Sequence, residues 1–128
     1  MALKISIADT RPGTKTVALD GRLDSESAEE LDRRLEELWQ CPFEVLVLDL
    51  ERLSYISSLG LRSLFRAQKE MGRRQGESLF LKPQPTVRKV FDIAMAVDLA
   101  SVFASPQELD AYLDSMQSKV AGEADAMP

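Results

Sequence analysis

The chain contains no histidine, one cysteine and no long run of apolar residues. The missing histidine removes the usual base behind a serine or cysteine nucleophile, and also the commonest metal ligand. A single cysteine, Cys41, rules out an intramolecular disulfide, which suits a reducing cytoplasm. No apolar stretch approaches the length of a membrane span, and the opening MALKISIAD alternates like a strand where a signal peptide would be continuously apolar. The glycines fit neither a phosphate loop nor a dinucleotide fingerprint, and Asp20, Asp24 and Asp49 lack metal-loop spacing. The expectation is therefore no metal, no cofactor and no catalytic set. A net charge of −5 argues against non-specific nucleic-acid binding.

With 128 residues, there is enough chain for one domain with a real core. Leu3, Ile5 and Ile7 alternate with polar residues as in a half-buried strand. A turn over 9–15 leads into a second strand, Thr16–Leu23, with Gly21 marking a bulge or a close backbone approach. Asp24, Ser25 and Ser27 are candidate caps for a first helix, and Ser27 with Glu30 fits a capping box. Ala28, Leu31, Leu35, Leu38 and Trp39 form that helix's apolar stripe. Val45–Leu50 reads as a buried strand, followed by a connection over 51–57. A second helix then begins, with Ser58 at its cap and Leu61, Leu64, Phe65 and Met71 on one face. A short strand at Ser78–Leu81 and a third helix from about Thr86 follow. A further short strand near Ser101–Phe103 is allowed. Ser105, Pro106 and Glu108 then open a last helix, with Leu109, Tyr112, Leu113 and Met116 inward. The domain is expected over 1–117, and 118–128 is expected as a tail without fixed structure. Alternating strands and helices imply an α/β layer structure on a mixed sheet.

Two segments, VALDGRLDSESAEEL and DLERLSYISSLGLRSLF, resemble the STAS domain family of sulphate transporters and anti-sigma factor antagonists. The resemblance implies a sheet of four or five strands with about four helices, mainly on one face. It aligns Ser58 with the serine that a partner kinase phosphorylates in the bacterial antagonists, with Gly60 and Leu61 on the family's glycine and leucine. Ser57 stands where the family has aspartate, and Leu59 where it has a second hydroxyl. Asp49 resembles the aspartate that supports the phosphorylation loop.

The implied function is a cytoplasmic regulatory binding module with no catalysis of its own. Its partners would be an anti-sigma factor with serine kinase activity and a serine phosphatase, with no nucleic acid or membrane. Ser58 is the expected phosphorylation site, Ser57 the fallback. Helical periodicity places Leu59, Arg62, Arg66, Glu70 and Arg73 opposite the apolar stripe. With Gly60, the leucine and the arginines make the expected docking face, though a tight helix–strand contact within the fold is the better explanation of Gly60 taken alone. Two other readings remain open: a STAS scaffold without a phosphoswitch, and a small-molecule or anion-binding module at the helix N-terminus.

Overall fold

The computed structural model describes residues 3–96, 102–103 and 105–126. β1 (Leu3–Arg11) and β2 (Thr14–Leu23) form a hairpin, closed at Gly13 with φ +76°. α1 (Ser25–Leu38), β3 (Val45–Ile56), α2 (Ser58–Arg73), β4 (Glu77–Leu81), α3 (Pro85–Ala96) and α4 (Pro106–Ala126) follow. The described residues form one mixed four-stranded sheet in the order β1-β2-β3-β4. β1 and β2 are antiparallel, while β2–β3 and β3–β4 are parallel. The parallel pairs need long crossovers, and α1 and α2 supply them.

Strand alternation decides which face the helices cover. Val17, Leu19 and Leu23 of β2, and Leu46, Leu48 and Leu50 of β3, are buried on one side. They meet Ala28, Leu31 and Leu35 of α1, Leu61, Leu64 and Met71 of α2, and Val87 and Val90 of α3. The alternate residues leave the opposite face open, where Leu79 and Leu81 are exposed.

β3 is twice as long as its apolar run suggests, because Glu51 and Arg52 interrupt the alternation without ending the strand. The register with β2 shifts there and again between Gly21 and Arg22, so two irregularities return Leu53 and Ile56 to the core side. Gly21, with φ +118°, occupies the bulge expected of it.

The cap of α1 is Asp24. Its carboxylate accepts from Ser27 N at 2.9 Å, and Ser27 Oγ accepts from Asp24 N at 2.9 Å. The capping box therefore starts three residues earlier than the Ser27–Glu30 pairing expected from sequence. Trp39 is half-buried at the end of α1 and stacks on Phe43, with centroids 5.9 Å apart, under the Arg74 guanidinium.

The Ser27 backbone hydrogen bond holds the Asp24 carboxyl below its ordinary value, helped by the Ser27 hydroxyl. A folded pKa below the unfolded one contributes stability above the unfolded value, about 3.9. That contribution is lost as pH falls through the folded value. Asp24→Ala should therefore cost about 0.5–2 kcal/mol at pH 7. The difference from wild type should shrink in acid melts below pH 4, which chemical denaturation at stepped pH would measure.

The end of the chain departs from expectation. The backbone is helical to Ala126, past the boundary expected at 117, in a segment rich in alanine, the best helix former. Tyr112 is exposed, with its ring against Phe103. Gln117 takes the buried place beside Leu113. The short strand allowed near 101–103 is absent at Val102 and Phe103, and Ser101 lies outside the described residues. Ser105 does cap α4, accepting from Glu108 N at 3.2 Å.

Candidate functional site at the start of the second helix

β3 ends at Ile56 and α2 begins at Ser58, so one residue makes the junction. That residue, Ser57, is the cap. Its extended backbone (φ −88°, ψ 173°) aims the side chain back over the first turn, where Oγ accepts from Gly60 N at 3.1 Å. Ser57 N donates to Leu23 O at 2.8 Å, and Ser57 O accepts from Leu61 N at 2.9 Å. With these bonds and 4% exposure, Ser57 is built into the fold and is a poor fallback phosphoacceptor.

The cap expected at Ser58 thus sits one residue earlier. Both residues are serine, and the apolar periodicity behind them cannot distinguish a one-residue offset. The consequence is chemical. Ser58 is the first residue of α2 and half-exposed, and its hydroxyl has no hydrogen-bond partner among the described residues. It stands at the positive end of a sixteen-residue helix.

Gly60 is buried, and the contact is internal. A β-carbon there would lie 2.6 Å from Leu23 Cγ and 2.8 Å from Leu23 O. Gly60 therefore leaves the set of docking residues: it lets α2 approach β2.

The outer face of α2 matches the helical reading. Leu59 is 42% exposed, and Arg62, Arg66 and Arg73 are exposed. These arginines are not equivalent. The Arg73 guanidinium is paired with Glu70 at 2.6 and 3.0 Å, and Arg74 Nε reaches Glu70 at 3.2 Å. The pairing holds the Glu70 carboxyl below its ordinary range. Arg66 lies 4.0 Å from Asp32 of α1, a weak exposed pair, and Arg62 has no ion-pair partner among the described residues. All three arginines are accessible, but Arg62 and Arg66, beside Leu59, are the ones not committed to a close ion pair.

Asp49 is not part of this site. It lies seven residues before the end of β3, about 20 Å away at ~3.3 Å per residue. It points to the open side of the sheet and accepts from Glu51 N at 3.1 Å. The junction is instead held by α4, a contact that no local pattern in the chain signals. Asp110 Oδ1 accepts from Ser58 N at 2.9 Å. The Tyr55 hydroxyl bonds to the Asp114 carboxylate. Gln117 accepts from Ile56 N at 2.9 Å and donates to Ile56 O at 2.7 Å. The Arg22 guanidinium lies 4.0 Å over the Tyr55 ring. Burial, reinforced by the Asp114 hydrogen bond, raises the Tyr55 pKa well above its ordinary value, so the phenol stays protonated.

Among the described residues no cluster of side chains could hold a metal, and no helix is long and apolar enough to cross a membrane.

Comparison with known proteins points in one direction. The family model for the STAS domain matches residues 6–109. BtrV of Bordetella bronchiseptica, named as an anti-sigma factor antagonist, is 37% identical over 86 residues, covering 67% of this chain and 74% of that protein. The solved anti-sigma factor antagonist SpoIIAA in its unphosphorylated form superposes with a TM-score of 0.63 at 27% identity, over 70% of this chain and 78% of that one. The Bacillus cell fate determinant SpoIIAA in the phosphorylated form gives 0.61 at 26% identity, over 70% and 81%.

Proposed function

The chain belongs to the STAS domain family, and from that premise we infer that it is an anti-sigma factor antagonist switched by phosphorylation of Ser58. Unphosphorylated, it binds an anti-sigma factor with serine kinase activity through the Leu59–Arg62–Arg66 face of α2, and so frees a sigma factor. The kinase phosphorylates Ser58 and a serine phosphatase reverses it. The chain works in the cytoplasm as a substrate and binding partner, with no catalysis of its own.

The observation that carries this reading is the division of labour between two serines. Ser57 caps the helix from a buried position, which leaves the Ser58 hydroxyl half-exposed at the same helix end. Phosphate there adds up to two negative charges beside the docking face. The family's aspartate and second hydroxyl are Ser57 and Leu59 in this chain. Neither change touches the acceptor: Ser57 supplies the cap, and Leu59 gives the dock an apolar centre within charged surroundings. An anion-carrying role has less support, because the Asp110 carboxylate already occupies the Ser58 N–H.

The test is a pull-down with the cognate kinase. Ser58→Ala should remove phosphorylation and keep binding, with no cap lost. Ser58→Asp should weaken binding, though less than phosphate, since it supplies one charge. Arg66→Glu should weaken binding whatever the state of Ser58, and alter its salt dependence. Equal binding by wild type and all three variants would defeat both the switch and the dock.

A further inference from the structure

Asp110, Asp114 and Gln117 are spaced by four and three residues along α4, so they share one face of that helix. Each attaches to a different point of the β3–α2 junction: Ser58 N, the Tyr55 hydroxyl and both backbone groups of Ile56. Two of the three attachments are carboxylates, and the nearer one bonds the amide of Ser58 itself. Beside them α4 is held by buried Leu113 and half-buried Leu109 and Met116, and it packs on α3.

We propose that α4 is a strap that reads the charge at position 58: closed on the junction while Ser58 carries a hydroxyl, released when it carries phosphate. This deepens the reading of Ser58 as the phosphoacceptor and rests on it. The Ser58 N–H and the α2 dipole are a single anion position, which Asp110 now fills. A phosphate on the same residue brings nearly two charges and three strong acceptor oxygens. It competes for that N–H and repels both Asp110 and Asp114. With both carboxylates displaced, the Gln117 bonds to Ile56 are the last attachment at the junction and open more often, while α4 stays tethered to the domain through α3. Phosphorylation then changes the surface beside the dock in shape as well as charge. A competing fate exists for the phosphate. Arg62 is four residues along α2, within reach of position 58. A phosphate turned outward to Arg62 would leave the strap closed.

The experiment installs phosphoserine at position 58 of the full chain by genetic code expansion and follows amide hydrogen exchange. The Ile56 amide and the amides of 111–118 should exchange at least ~10-fold faster than in the unmodified chain, a ten-fold change corresponding to 1.4 kcal/mol of lost protection. Ser58→Ala should leave them unchanged. In the phosphorylated chain, Asp110→Asn should restore much of the protection, because the amide oxygen still accepts from Ser58 N without the charge. Should Asp110→Asn fail to fold, salt provides the second measure. Release driven by repulsion should diminish at 1 M salt, where the Debye length is about 3 Å. Unchanged exchange on phosphorylation, or a loosening indifferent to both Asp110→Asn and salt, overturns the strap. Because the phosphoserine is placed during synthesis, a cognate kinase that leaves Ser58 untouched would defeat the switch and leave this test standing. Unchanged exchange would defeat the strap and leave the switch.

Discussion

Replacing Gln117 by leucine should destabilise the domain by about 2–5 kcal/mol, the cost of leaving two buried backbone groups unpaired. The Gln117 side chain is 4% exposed and satisfies both Ile56 N and Ile56 O, while its amide also donates to Leu113 O at 3.2 Å. Leucine fills the space with apolar atoms but offers neither group a partner. Gln117→Glu is the informative companion. A carboxylate still accepts from Ile56 N but cannot donate to Ile56 O, and it is a buried charge. It should therefore be at least as damaging at pH 8 and recover part of the loss at pH 4, where a protonated carboxyl can donate. Urea midpoints at the two pH values would show it. A midpoint within error of wild type for Gln117→Leu would mean that α4 does not secure the end of β3.

Replacing Gly60 by valine should be comparably severe. A β-carbon would sit 2.8 Å from Leu23 O, a backbone atom of the residue paired with Ile56 and held by Ser57 N, and 2.6 Å from Leu23 Cγ. Side chains can rotate away but the strand backbone cannot, so α2 must lift from β2. Overpacking of this kind costs about 1–3 kcal/mol, and more where backbone must move. Gly60→Ala should show a smaller loss in the same direction, although alanine is the better helix former by ~1 kcal/mol. If Gly60→Ala instead raised the melting temperature, the close approach of α2 to β2 would be wrong, and Gly60 would return to the candidate docking face.

These two residues also mark what could be read from the sequence. Gly60 was legible as an anomaly: a glycine inside a helix has a local cost, so some close approach had to explain it, and Leu23 does. The outer face of α2 was legible because exposure follows from helical geometry once the Leu61–Leu64 stripe is fixed. The STAS fold was legible from two segments and the alternation of strands with helices. Ser57 as cap was not, because two adjacent serines offer the same chemistry and periodicity tolerates a shift by one. The outer half of β3 was not, because the bulge at Glu51–Arg52 breaks the alternation by which a strand is recognised. Gln117, Asp110 and Asp114 were the least visible. They follow the apolar stripe of α4 as ordinary polar residues, and their partners at Ile56, Ser58 and Tyr55 are more than 50 residues away. Asp49 failed for a related reason: it resembled the family's aspartate, but the length of β3 carries it away from the junction.

The proposed switch stands on a single hydroxyl, and one measurement reaches it directly. The purified chain is incubated with the proposed partner, an anti-sigma factor kinase, and ATP; the phosphate is located by fragment mass analysis, and the Kd for the kinase is measured before and after. The expected result is one phosphate, on Ser58, and a Kd at least ~10-fold weaker in the phosphorylated chain, since like charges brought together at an interface cost more than the 1.4 kcal/mol this requires. Phosphate on any other residue, or a Kd that is the same with and without phosphate on Ser58, would contradict it.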